Sequence, residues 1–212
     1  MQSFADILFQ GQVLAEQERE GTRLQFEAMY QDRLTGPLDA DARAFIETRD
    51  SFYLATVSES GWPYVQHRGG PPGFLTVLGP EQLGFADYLG NRQLISKGHV
   101  AADARVSLFL MDYARQGRLK LLGHLLMTPA SERPALAARV AVDGQGQVER
   151  VATIDLIAMD WNCPKYITPR YTKEEVATLV GPHLKRRDDA IATLSERLRA
   201  LGEDPDDLIG DL

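Results

Sequence analysis

The sequence predicts a mainly β protein with flanking helices, built on an antiparallel sheet that closes into a barrel. Three observations carry this. Five to seven short apolar runs rich in β-branched and aromatic residues lie between residues 51 and 161. Tight-turn residues join most of them, as antiparallel neighbours require. Strand–helix alternation does not repeat, which disfavours a doubly wound parallel sheet.

Each element has its own signal. Residues 1–49 read as helical: Phe4, Ile7, Leu8 and Leu14 recur near helical spacing, and Ser3 stands where a cap belongs. Gly21 is expected to break the helix, a second segment runs from Thr22 to Leu34, and Gly36-Pro37 ends it. Asp39 is placed to cap a short helix through Phe45 and Ile46. SFYLATVS (51–58) and WPYVQHR (62–68) are strands around a turn at Glu59-Ser60-Gly61. Gly69-Gly70-Pro71-Pro72-Gly73 is a loop, because no regular element tolerates it. FLTVL (74–78) and LGFADY (83–88) follow, divided by Gly79-Pro80. Asn91 to Ala102 reads as a short helix opened by Asn91. RVSLFLMDY (105–113), RLKLLGHLLM (118–127) and the long alternating run VERVATIDLIAMDW (148–161) are strands, with a helix at Ser131 to Val140. Thr172, Glu174 and Glu175 open a helical zone to Leu201, in which Gly181-Pro182 is expected to be an interruption. Leu184, Ile191, Leu194, Leu198 and Leu201 stripe its far half, to pack on its own barrel or on another subunit. The expected organisation is a helical extension (1–49), a barrel domain (50–171) and C-terminal helices with an acidic tail (172–212).

Composition narrows the function. The 212 residues carry net charge −7, and the last ten contain five acids and no base. The body is close to neutral and lacks the basic footprint of a nucleic-acid binder. A single cysteine, Cys163, excludes an internal disulfide framework and a cysteine-rich metal site. The four histidines are scattered, without metal-ligand spacing. No run approaches the ~20 apolar residues of a membrane helix, and the N-terminus lacks a cationic leader. A cytoplasmic protein that binds neither nucleic acid nor membrane is expected.

Four stretches could carry chemistry. Asp87 to Ser96 joins a strand to a helix: Gly90 permits a sharp turn, and Arg92, Gln93 and Ser96 stand near free helix amides. That set suits a phosphate monoester. Read alone, Arg92 could equally be a solvated first-turn residue. In Trp62 to Gly73, Gln66 and Arg68 share one strand face and His67 takes the other, beside a loop of bare backbone that a planar ligand could approach. Arg118 and Lys120 share a strand face, where two cations are commonly just solvated. Asp160 to Tyr171 is irregular and rich in aromatic and polar groups, including Trp161 and Arg170. Its Cys163 has no neighbour that marks an activated thiol.

The blocks FYLATVSESGWPYVQHRGG, LGFADYLGNRQLIS and ARVSLFLMDY, in this order, resemble the pyridoxamine-phosphate-oxidase-like family of flavin-binding split barrels. The resemblance implies an FMN-binding antiparallel split barrel and a homodimer with flavin at the interface. It implies an oxidoreductase acting on a small organic substrate, with NADH or NADPH to be tried as reductant. Asn91, Arg92 and Gln93 match the family's phosphate-binding turn, and Gln66, His67 and Arg68 match the strand along the isoalloxazine. Arg118 and Lys120 fall on a later strand that contacts flavin or phosphate. Trp161 and Arg170 correspond to groups that reach the site late in the chain, from the same or from the partner subunit. The chain lacks the RLxP-type substrate motif of true pyridoxamine phosphate oxidases, and Arg118 stands where the family commonly has a glutamine. The vitamin B6 substrate is therefore not implied. A non-catalytic flavin carrier or sensor and a haem-binding split barrel remain the alternatives.

Overall fold

The computed structural model describes residues 1–31, 36–161 and 164–205. Cys163, on which the sequence reading places an inert thiol, lies outside them, as does most of the acidic tail. The chain divides into two compact units, Met1–Ile167 and Thr168–Leu212.

Seven strands form one antiparallel sheet in the first unit. They are β1 (Ser51–Val57), β2 (Pro63–Gly69), β3 (Thr76–Gly79), β4 (Gln82–Tyr88), β5 (Arg105–Asp112), β6 (Gly117–Pro129) and β7 (Val148–Trp161). Their order is β2-β1-β5-β6-β7-β4-β3. Among the described residues no ladder joins β2 to β3, so the barrel is split rather than closed.

Alternation decides which side chains enter the core. Phe52 and Leu54 of β1, Leu108 and Leu110 of β5, Leu119 and Leu121 of β6, Leu83 and Phe85 of β4, and Ile154 of β7 are all buried. Side chains span the split: Phe52 stacks on Phe74 at 5.7 Å and meets Phe85 edge-on at 5.5 Å. Gly70 is required here, since a Cβ on it would come within 2.7 Å of Phe74.

Helices seal the sheet. In α4 (Ala40–Glu47) Asp39 caps as expected, accepting from the Ala42 amide at 2.7 Å, and Ala42 and Ile46 enter the core. At the N-terminus, α1 (Phe4–Leu8) and α2 (Gln12–Arg19) are separate helices, because Gly11 turns with φ 53° between them. Ser3 stands at the N-cap of α1 without a side-chain capping bond. After a turn at Gly21, α3 (Arg23–Gln31) follows. Between β4 and β5, α5 (Ile95–Ala102) starts later than the sequence suggests. A one-turn 3-10 helix at Ala130–Glu132 leads into α6 (Pro134–Val140), whose Ala137 and Val140 pack on Val151 from outside the sheet.

The second unit is built on one helix, α7 (Lys173–Ala200). A capping box opens it: the Glu175 amide donates to Thr172 Oγ1 at 3.1 Å, and the Thr172 amide to Glu175 Oε2 at 2.8 Å. The expected interruption at Gly181-Pro182 does not occur, and Pro182 sits inside the helix. Proline forfeits its own amide bond, and the rest of the 28-residue ladder continues across it.

Candidate functional site

Strand ends at the split bring polar groups together. Along β2, Tyr64, Gln66 and Arg68 face inward, while Val65 and His67 face out. Gln66 pairs in register with Leu54 and Arg68 with Phe52. The inward rows of β4 and β7 each end in a charge, Asp87 after Leu83 and Phe85, and Arg150 before Ala152 and Ile154. Asp87 and Arg150 are register partners.

Tyr64, Gln66, Arg68, Asp87 and Arg150 line an open cleft with Tyr88, the 90–94 loop, the start of α5 and Met127. Asp87 sits between two guanidinium groups, accepting from Arg68 Nη1 at 3.2 Å and Arg150 Nε at 2.7 Å. Glu149 accepts from Arg150 Nη2 at 2.8 Å and, at the solvent edge, from Arg92 Nη2 at 3.3 Å. Burial favours loss of the Arg150 proton. The hydrogen bond and charge of Asp87, with those of Glu149, outweigh it and hold the pKa above the ordinary arginine value. On the other wall Ser96 Oγ donates to Gln66 Oε1 at 2.8 Å.

The 90–94 loop is built differently from the sequence expectation. Asn91 does not cap the helix: its Oδ1 accepts from the Gln93 amide at 3.1 Å, closing a local turn. Arg92 and Leu94 both take positive φ, 59° and 56°. That backbone is costly for residues with a Cβ and recurs at ligand-binding loops. Leu94 occupies the N-cap of α5, and among the described residues no side chain caps the first amides of this helix.

Six of the eleven expected residues therefore meet in one cleft: Gln66, Arg68, Asn91, Arg92, Gln93 and Ser96. His67 is turned away by strand alternation and packs edge-on to Tyr53 at 5.7 Å. Arg118 is opposite Met111 on the outer side of the sheet, and its Nε is buried without a hydrogen-bond partner among the described residues. Lys120 lies beneath the N-terminal helices: its Nζ is 2.8 Å from Asp160 Oδ2 and 4.6 Å from the centre of the Phe4 ring. Trp161 packs edge-on to Phe45 at 4.9 Å. Arg170 belongs to the second unit. The sequence reading missed Arg150, Lys97 and the bridging role of Asp87. Its available signal was the alternation of 150, 152 and 154, which sets an arginine at the end of an inward apolar row. Arg68 has a further peculiarity: its Nε is buried with no partner among the described residues, and its guanidinium lies 5.6 Å from the Phe85 ring centre.

The sequence profile described as pyridoxamine 5'-phosphate oxidase matches residues 38–157, more than half of the chain. No curated protein matches it. Among solved structures, HupZ of Group A Streptococcus is 11% identical, with 63% of this chain and 99% of that chain covered and a TM-score of 0.49. A candidate pyridoxamine 5'-phosphate oxidase of Lactobacillus delbrueckii is 18% identical, with 58% and 93% covered and a TM-score of 0.47. General Stress Protein 26 of Bacillus anthracis is 12% identical, with 56% and 88% covered and a TM-score of 0.43. The profile match spans the strands β1 to β6 and most of β7 that build the split barrel and its cleft, and the chain belongs to the pyridoxamine 5'-phosphate oxidase family.

Proposed function

We propose that the cleft holds FMN and that the protein is an FMN-dependent oxidoreductase acting on a small organic substrate. The observation that carries this reading is a charge balance. Arg68, Arg92, Lys97 and Arg150 line the cleft, and among the described residues only Asp87 and Glu149 pair with them. Two positive charges are left over, which suits a phosphate monoester of about −1.5 to −2. The partnerless Arg68 Nε and the uncapped first amides of α5 add donors that such a ligand would satisfy.

In this reading Arg92, Gln93, Ser96 and Arg150 hold the phosphate, with Asn91 shaping the turn. Gln66 and Arg68 orient the ring. His67 and Arg118, on the outer side of the sheet, are the expected residues that a flavin shared with a second subunit would meet. Lys120 is engaged by Asp160 and Phe4, and it leaves the proposed set. Bound FMN supplies the hydride and electron chemistry, and the protein supplies position and electrostatics. The homodimer is part of the proposal. Tyr53, Val57 and Val65 leave an apolar strip exposed on the outer side of β1 and β2, and burying it against a second copy is the economical solution.

The spectrum of the purified protein tests the cofactor. Flavin absorbs in the blue and near ultraviolet, whereas haem gives a Soret band and overturns the assignment. Haem would also want an axial histidine, yet His67 points away from the cleft and His99 Nδ1 lies 2.9 Å from Thr56 Oγ1. Anaerobic reduction by NADH or NADPH, followed by reoxidation with candidate acceptors, separates an enzyme from a flavin carrier.

A further inference from the structure

The second unit contains a helix that the described residues of its own unit leave uncovered. None of the 28 residues of α7 is buried, and Val180, Leu184, Ile191 and Leu194 are all exposed. Their positions follow a rule. Ala177, Val180, Leu184, Arg187, Ile191, Leu194, Leu198 and Leu201 are spaced alternately by three and four residues over more than three heptads. A strict three-four seam is the narrow stripe of a coiled coil, whereas a helix lying on a sheet needs a broader one. Pro182 falls opposite the seam, where it does not obstruct a partner.

The remaining faces exclude a lipid surface. From Lys173 to Ala200 six Lys and Arg residues stand against five Asp and Glu. Anionic membranes select helices with a predominantly cationic polar face.

We propose that α7 pairs with α7 of a second copy of this chain in an antiparallel coiled coil centred on Asp189. The sequence is complementary to itself in that direction. Small residues face large ones, Ala177 against Leu201 and Val180 against Leu198. Leu184 faces Leu194 at the middle of each half. Arg187 faces Ile191, so its stem packs while its guanidinium, 3.1 Å from Asp188 of its own helix, stays at the edge of the seam. A parallel pair would instead set Arg187 against Arg187 and Ala177 against Ala177, leaving like charges and a gap in the seam.

Cross-linking of the full chain tests this independently of any cofactor. In a Cys163→Ser background, Leu184→Cys and Leu194→Cys are introduced together. Mild oxidation at micromolar concentration is expected to give a covalent dimer of about twice the 23.6 kDa chain. Trypsin should then release the peptide ending at Lys185 joined to peptide 188–197. With Leu184→Cys alone the two thiols would lie about ten residues, or ~15 Å, apart along the axis, and no covalent dimer is expected. Links joining 184 to 184 and 194 to 194, or a covalent dimer from the single variant, overturn the antiparallel register. Free thiols in a folded double variant, confirmed by circular dichroism, overturn the pairing itself and return the stripe to a contact within the chain.

Discussion

Arg92 and Arg150 are both cleft arginines, yet they divide binding from stability. The Arg92 side chain is 71% exposed and its Glu149 contact is an open ion pair, worth under about 1 kcal/mol. Arg92→Ala should leave the melting temperature unchanged while weakening FMN by roughly 10- to 150-fold, the loss of about 1.5–3 kcal/mol for a charge-assisted contact. Arg150 is 16% exposed and bridges Asp87 and Glu149. Arg150→Ala should lower both affinity and melting temperature, because it strips partners from a buried carboxylate. Titration of apoprotein and thermal unfolding, run on both variants, would show the split; equal melting losses would contradict it. A second residue-scale test lies away from the cleft. Burial raises the Asp112 pKa. The Arg115 amide, the Arg49 charge and hydrogen bonds from both guanidinium groups overcome it and leave the carboxyl below its ordinary value. A lowered folded-state pKa contributes stability above the unfolded value, near 3.9, and loses it as pH falls through the folded value. Asp112→Ala should therefore cost about 3–5 kcal/mol at pH 7, since it leaves Arg49 buried and unpaired. In urea unfolding the gap between variant and parent should narrow below pH 4. A gap that widened in acid would refute the sign.

At the scale of elements, the sheet curls where its ladders are irregular. The β6–β7 register shifts between Leu122 and Gly123. A Cβ on Gly123 would lie 2.6 Å from the Asp155 carbonyl oxygen and 2.8 Å from Ile154 Cγ2. Backbone cannot move aside as a side-chain tip can, so Gly123→Ala should destabilise the barrel by about 1–3 kcal/mol. Gly144→Ala, at a positive-φ turn position with open space around its Cβ, isolates backbone strain from crowding. Chemical denaturation of the pair should separate the two costs, and an unperturbed Gly123→Ala would mean that the β6–β7 pair is looser than this register implies. The strands were legible because alternation along each run is a local property. The start of α5 was not. Asn91 has the chemistry of a cap, but it spends its side chain on the Gln93 amide, and the chain then needs positive φ at Arg92 and Leu94 before the helix begins. Gly181-Pro182 misled for a related reason. Local propensity argues for a break, while a long helix tolerates the loss of one hydrogen bond.

For the whole molecule, the proposed dimer makes the flavin site and the assembly one question. Val65 is 59% exposed on the outer side of β2, one strand position from the inward Gln66. Val65→Asp should leave the barrel folded and break the barrel–barrel contact with release of FMN, and it should give monomer only in a protein whose α7 pairing is also broken. Light scattering across a dilution series, with flavin fluorescence followed in parallel, reads both at once. A monomer that retains its flavin would remove the shared site and leave the cleft residues as the complete set. If α7 pairs independently, a Val65→Asp protein would still associate through its helix. The Leu184→Cys and Leu194→Cys cross-link then distinguishes which contact survives.

Beyond the split of the barrel, which only the family resemblance implied, the sequence by itself determined the antiparallel β class, the strands, the Asp39 cap, the apolar stripe of α7 and six residues that line the cleft. Each follows from periods of two or of three and four, or from a motif contained in a few consecutive positions. Only the tertiary structure decided that Arg150 meets Asp87 across a strand pair separated by more than sixty residues. The same holds for Lys120, whose strand face is readable locally but whose neighbours, Phe4 and Asp160, come from distant segments. Ion pairs of this kind leave no local pattern, because the register that brings their halves together is chosen by the buried apolar rows beside them.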